Sequence, residues 1–396
     1  MNLPSMTPLR VLVAAATPSV VGGAEAWAAQ VIRALAHRGH AIALLHERNE
    51  VPDRTPLVPT GTPMFDARAG LGGALAWRPD IVLVNGLHDP RIEAALVAAR
   101  PAVLFAHSYY GTCATGTKHH AFPHSVPCTR VLGPACLLLH YPRRCGGLGP
   151  HTMLRDYRRQ LARLAILPQY RRVLVASHHM AAEMGRHGIA PERIMILSPP
   201  PWDATPSPTP PPPPPANGAM LFLGRLTVLK GSGLLVPALR AASDTLGRPL
   251  ALTLVGDGPA AGDVKRAAAA QDIPCTAYGW VAPGKRNAII GRHELCLMPS
   301  LWPEPWGLAG LEAACQGVPT VAVASGGIPE WLHAGRNGEL APTPATSWGM
   351  AGAVVRALHD RTHYAALSRG AWEAAGRLSP EVHVTALIGA LRAAAA

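Results

Sequence analysis

Long apolar runs are missing from this 396-residue chain. None reaches the ~18 residues that a membrane-spanning helix requires, which argues against an integral helical membrane protein. The first residues, Met1 to Ala16, faintly resemble a secretory signal. Their apolar run from Leu9 breaks at Thr17-Pro18, however, and the residues beyond that break have the pattern of a domain's first helix. The expectation is a cytoplasmic protein whose first buried strand is Leu9 to Ala15. Charge is scarce as well: charged residues make up 15% of the chain, against roughly 25% in an average soluble domain. Acidic side chains are the rarer sign, 24 against 36 lysines and arginines, for a net charge of +12. Such a balance favours anionic partners: a nucleotide sugar, an anionic lipid surface or nucleic acid. No basic–aromatic motif accompanies the charge, so nucleic acid fits the charge alone and is not expected as a partner. Cysteines number seven, an odd count, and none stands in a C-x₂-C pair. Three of them (Cys275, Cys296, Cys315) fall in segments that read as core, which suits a reducing compartment.

What is present is strand–helix alternation, twice over. Leu9 to Ala15, Ala41 to Leu45, Ile81 to Val84, Ala102 to Phe105, Val173 to Ala176 and Ile194 to Leu197 read as buried strands separated by amphipathic helices. The pattern resumes with Met220 to Leu223, Leu252 to Val255, Thr276 to Tyr278, Leu295 to Met298 and Thr320 to Val323. Alternation of this kind predicts an α/β protein of two Rossmann-like, doubly wound parallel-sheet domains whose ligands lie beyond the strands' carboxyl ends, in a cleft. The boundaries expected are a first domain over 1–198, a proline-rich linker over 199–216, a second domain over 217–375 and a C-terminal helix over 376–396 that packs back on the first domain. The linker's proline run is either a stiff polyproline II spacer or an ordered extended crossing; it could also serve as a PxxP ligand.

One stretch concentrates the chemistry, Pro303-Glu304-Pro305-Trp306-Gly307-Leu308-Ala309-Gly310-Leu311-Glu312. Glu304 follows a strand in a loop that two prolines hold extended, and Glu312 projects from the helix that starts at Gly307. Backbone N–H groups at Gly307 and Leu308 would point at an anion in front of the strand. Arg225 and Lys230, five positions apart after an earlier strand, could both reach a diphosphate. Gly22 and Gly23 would let backbone approach the same phosphates from the first domain, and His107 ends a buried strand where it would face Glu304. Each feature alone is also compatible with an ordinary turn, surface charge or structural histidine.

Gly22-Gly23-Ala24-Glu25, Gly224-Arg225 with Lys230-Gly231, Val255-Gly256-Asp257-Gly258-Pro259, Glu304-Pro-Trp-Gly-Leu-x-x-Leu-Glu312 and Ser325-Gly326-Gly327-Ile328-Pro329-Glu330 stand in this order along the chain. In that order they resemble the family-4 glycosyltransferases of the GT-B fold. The resemblance covers nearly the whole chain and is strongest from Met220 to about Leu340. It implies a retaining, hexosyltransferase-type transfer of a sugar from a nucleotide diphosphate sugar to a hydroxyl acceptor, with no cofactor required for catalysis. Carried over by position, Arg225 and Lys230 resemble the diphosphate ligands, Glu312 the ribose ligand and Glu304 the carboxylate at the transferred sugar. Gly307 and Leu308 would offer amides, Gly22 and Gly23 would approach the phosphates, and His107 would line the donor-sugar side. Tyr278, Gly279 and Trp280 match the strand end beside the base, and Trp306 falls among the donor-contacting positions.

Two features stand outside that pattern: the proline run and a Cys/His-rich insertion over 107–150. Cys113, Cys128, Cys136 and Cys145 in that insertion could bind a structural zinc, or stay reduced in a long lid-like loop that selects the acceptor. Arg155 to Arg172 holds six arginines around an apolar stripe, which reads as a solvated helix face or as a surface for peripheral contact with an anionic membrane. The other functions compatible with the fold are a nucleotide-sugar epimerase, a sugar phosphorylase and a non-catalytic nucleotide-sugar-binding scaffold.

Overall fold

A computed structural model describes residues 7–202, 204 and 206–396. The first sheet holds seven strands, β1 (Arg10–Ala15), β2 (Ala41–His46), β3 (Met64–Asp66), β4 (Ile81–Asn85), β5 (Ala102–Ala106), β8 (Arg172–Val175) and β9 (Ile194–Ile196). All are parallel, in the order β3-β2-β1-β4-β5-β8-β9. A two-residue antiparallel pair, β6 (His119–His120) with β7 (Val126–Pro127), lies apart within the insertion. The second sheet is also wholly parallel, β12 (Cys275–Gly279), β11 (Ala251–Val255), β10 (Ala219–Leu223), β13 (Leu295–Met298), β14 (Thr320–Val323) and β15 (Gly338–Ala341), in that spatial order. Strands such as Val11–Ala15 are buried on both faces, which is why they read as unbroken apolar runs rather than alternating ones. Each sheet has a core on either side. Both strand orders reverse at one point, between β1 and β4 and between β10 and β13, and such switch points open a crevice for ligands.

The proline run is an ordered extended crossing and not a free spacer. It lies along the second domain: Trp372 Nε1 donates to Ser207 O at 3.0 Å, Arg361 donates to Pro214 O, and Ala204 packs with Ala314, Cys315, Ala371 and Ala375. The last helix, Pro380–Ala395, returns to the first domain, where Leu387, Ala390, Leu391 and Ala394 join the core beneath Trp27 and Leu83. Its His383 accepts from Trp27 Nε1 at 3.0 Å and donates through Nδ1 to Ser198 O at 3.0 Å. Two edge strands, β3 and β15, have no counterpart among the strands read from the sequence. No helix among the described residues is long and apolar enough to cross a membrane.

Candidate active site

The loops after β10 and β13, on either side of the second switch point, are laced together by backbone. Leu301 N donates to Leu229 O at 2.8 Å. Gly231 follows Lys230 with φ +70, and a Cβ there would lie 1.8 Å from Pro299 O, so only glycine allows the two loops to touch. The contact brings Lys230 Nζ to 2.6 Å from Glu304 Oε1. The Ser300 hydroxyl donates to the same oxygen at 2.5 Å. Glu304 is 3% exposed, and its Oε2 makes no hydrogen bond among the described residues. Lys230 also lies 5.2 Å over the Trp302 ring. A third loop closes on the carboxylate's backbone: Gly327 N donates to Glu304 O at 2.7 Å, and a Cβ on Gly326 (φ +66) would meet that oxygen at 2.1 Å.

Helix Leu308–Ala314 starts after Gly307, whose φ of +91 turns the chain into it. Glu312 on this helix is 3.1 Å from Arg286 Nη1, a residue of helix Pro283–Ile290. Trp306 is buried, donates from Nε1 to Pro199 O at 3.0 Å and accepts at its own carbonyl from Trp331. It joins the linker to the second domain, one residue before the turn at Gly307. Arg225 is exposed and makes no side-chain hydrogen bond or ion pair among the described residues.

Gly22 and Gly23 follow β1 and open helix Gly23–His37; nothing lies within 4 Å of a Cβ built on Gly23. His107 follows β5. Its Nε2 is 2.6 Å from Asn85 Oδ1 at the end of β4, and its ring stacks on Phe105 at 4.4 Å. Burial, with a smaller contribution from His383, pushes its pKa down to about 3, so the imidazole is neutral at physiological pH and no hydrogen bond joins it to Glu304. Its hydrogen-bond and ring partners are Asn85, Phe105 and Trp27. Tyr278 and Trp280 are half-exposed at the end of β12, and Arg54 of the first domain lies 4.6 Å over the Trp280 ring. The domains meet again where the Glu330 carboxylate accepts from His178 N and His179 N, both at 2.8 Å, at the start of helix His178–Arg186.

The insertion sits against this machinery. Tyr109, at its start, donates its hydroxyl to Pro303 O at 2.9 Å, one residue before Glu304. Lys118, 1% exposed, is paired at 2.6 Å with Glu183 of helix His178–Arg186. The four cysteines line one small cavity. Arg163, counted among the six arginines of the basic segment, is buried; it pairs with Glu93 at 2.8 Å and donates to Leu87 O at 2.6 Å. It therefore belongs to the core and not to a solvated or membrane-facing surface. Sequence reasoning missed Ser300, Tyr109, Asn85 and Arg286. Ser300 alone carried a signal, its position four residues before Glu304.

Comparison with known proteins matches residues 21–200 to Glycosyltransferase Family 4 and residues 218–360 to Glycosyl transferases group 1. An uncharacterized 41.2 kDa protein in the cps region of Klebsiella pneumoniae is 30% identical over 121 residues, 31% of this chain. That match spans about a third, 32%, of the relative's own length. Among solved structures, Anabaena HepE in complex with UDP and glucose shares the fold at a TM-score of 0.67 and 17% identity, over 96% of this chain and 98% of that one. Sucrose-phosphate synthase from Thermosynechococcus elongatus gives 0.70 and 17% over 97% and 98%. WaaG, a glycosyltransferase involved in lipopolysaccharide biosynthesis, gives 0.69 and 15% over 96% and 99%. With two doubly wound domains, each matched by its own glycosyltransferase family model, the chain belongs to the GT-B glycosyltransferases, a family-4 domain leading and a group-1 domain following.

Proposed function

We propose that the protein moves a sugar, with retention of anomeric configuration, from a nucleoside diphosphate sugar to a hydroxyl acceptor. The observation that carries this reading is the Glu304 carboxylate. Oε1 is anchored by Lys230 and Ser300, which leaves Oε2 to accept a hydroxyl of the sugar in the crevice after β10 and β13. As the bond from C1 to the leaving phosphate oxygen breaks, negative charge builds on the diphosphate. Lys230 and the exposed Arg225, at the same sheet edge, supply fixed positive charge there. The acceptor oxygen attacks C1 from the face the diphosphate leaves, and its proton passes to the departing phosphate oxygen. Glu312 takes the ribose hydroxyls; Gly23, Gly307 and Leu308 offer backbone to the phosphates, and neutral His107 offers Nδ1 to the donor sugar. HepE was crystallised with UDP and glucose, which makes UDP-sugars the first donors to test.

The acceptor reading rests on the insertion. Leu138 and Leu148 are 78% and 81% exposed, and Arg143, Arg144 and Arg155, near them in the sequence, are exposed as well. Exposed apolar and basic side chains in one segment suit an acceptor held at an anionic lipid surface. Donor-dependent thermal stabilisation followed by product analysis tests the proposal. The expected result is stabilisation by one UDP-sugar, transfer with the donor's anomeric configuration, and loss of transfer in Glu304→Ala. A product of inverted configuration overturns retention, and undiminished transfer by Glu304→Ala overturns the assignment of the carboxylate. Flotation with phosphatidylglycerol vesicles but not with phosphatidylcholine vesicles is expected; equal recovery with both removes the membrane reading.

A further inference from the structure

The insertion between β5 and helix Pro150–Ile166 has little regular structure and a small apolar core. Its regular structure amounts to the two-residue pair β6–β7 and the five-residue helix Ala135–Leu139. Its own apolar core is Ala114 and Leu132 packed on Tyr157 of the next helix. Segments of about forty residues with so small a core are ordinarily stapled by disulfides or a metal. All four cysteines of the segment, drawn from positions spread over Cys113 to Cys145, converge on one cavity of about 30 Å³. They are free thiols, each half-buried. Cys113 Sγ accepts from Lys118 N at 3.3 Å, and Cys145 Sγ lies 3.4 Å from His120 Nδ1. Arg130 lines the same cavity, placing positive charge where negative sulfur would gather.

We propose that Cys113, Cys128, Cys136 and Cys145 bind one zinc ion that staples the insertion. Four thiols release four protons as Zn²⁺ enters, which gives a tetrathiolate centre of net charge −2 beside Arg130. Sulfur donors in this number select zinc over the oxygen-seeking cations. As they stand, no three His, Cys, Asp or Glu side chains among the described residues are grouped closely enough to hold a metal, so binding draws the four side chains in around the cavity. The staple has a consequence for the transfer site. Tyr109 lies four residues before Cys113, and its hydroxyl holds the carbonyl next to Glu304. Fixing Cys113 fixes the chain from which Tyr109 reaches across, which makes the centre a positioning device for the catalytic loop.

The test is metal analysis of the full-length protein purified from zinc-supplemented medium without chelator. About one zinc per chain is expected, with X-ray absorption showing four sulfur neighbours at about 2.3 Å. Cys128→Ser and Cys136→Ser should each lower zinc content at least fivefold, while Cys275→Ser, outside the insertion, should keep it. In native protein the four thiols should resist a disulfide-exchange reagent until a zinc chelator is added, and then react. The proposal is overturned if wild-type protein carries less than a tenth of a zinc per chain, or if intact mass shows two disulfides within the insertion. A bound zinc with only oxygen and nitrogen neighbours also overturns it. Because the decisive measurements are made on wild-type protein, misfolding of a variant does not blunt them.

Discussion

Replacing Lys230 by methionine keeps the bulk of the side chain and removes its charge. Glu304 would then be a carboxylate 3% exposed, with the Ser300 hydroxyl as its remaining side-chain donor. Removing one member of a buried ion pair costs about 3–5 kcal/mol, because the other charge is left uncompensated. The Lys230 side chain is 32% exposed, so water screens part of the pair and about 2–3 kcal/mol is the expected loss. For a domain of 150–250 residues that lowers Tm by roughly 4–12 °C. Glu304→Gln should cost less, about 1–2 kcal/mol, since an amide oxygen still accepts from both partners. The double variant should lose less than the sum of the two, with a coupling of about 1–2 kcal/mol. Urea unfolding of the four proteins yields that coupling, and kcat/KM on the same samples reports the chemistry. Loss of the cation at the leaving diphosphate should reduce kcat/KM in Lys230→Met by about 10²–10³. Additive losses, with coupling below ~0.3 kcal/mol, would refute the energetic role of the pair. Transfer within threefold of wild type would refute the role at the leaving group.

Other perturbations probe the frame around the pair. Glu330→Ala removes the carboxylate that caps helix His178–Arg186 across the domain boundary. It should weaken closure by about 1–2 kcal/mol, visible as a larger radius of gyration in small-angle scattering and looser donor binding. An unchanged radius with unchanged donor affinity would show that the contact holds nothing. Lys118→Met leaves Glu183 buried at 1% exposure with Arg186 as its remaining full charge, and about 3 kcal/mol of stability should disappear in chemical denaturation. Acid should destabilise the fold through two histidines. Burial depresses His107 to about 3 and His383 to about 4 from the usual 6.5, while the unfolded chain takes up protons below 6.5. Their contribution is therefore whole above pH 6.5 and falls by up to about 1.4 kcal/mol per pH unit per histidine as pH drops toward those values. A melting temperature that stays level from pH 7 to pH 5 would contradict this.

The doubly wound plan was legible because its central strands are buried on both faces and are written as plain apolar runs, Val11 to Ala15 and Leu295 to Met298 among them. The edge strands β3 and β15 were not. Met-Phe-Asp and Gly-Glu-Leu-Ala are short and part-polar, and they become strands only because a neighbour offers a hydrogen-bonding edge. Lys230 and Glu304 stood out as charges at strand ends, but their direct contact depends on Gly231 lying against Pro299, a packing relation between loops far apart in the chain. Tyr109, Asn85 and Arg286 carry no local pattern at all; their roles come from tertiary placement. The bond from Trp306 Nε1 to Pro199 O was equally invisible, since it joins positions more than a hundred residues apart. His107 was correctly placed at a strand end, yet spacing along a chain says nothing of the indole and phenyl rings that surround it.

The proline run bears on how the two halves can move. Because its residues are fastened to the second domain through Trp372, Arg361 and Ala204, bending is confined to the few residues near Ser198 and Pro199. The chain crosses a second time just before Pro380, where the last helix leaves for the first domain. His383 bonds to Ser198 O, so the two crossings touch. They act as the paired knuckles of a door, and the axis through them leaves one rotation easy and the rest stiff. Arg54 and Trp280, meeting beyond the edge strand β12, join the two halves at a point away from both crossings.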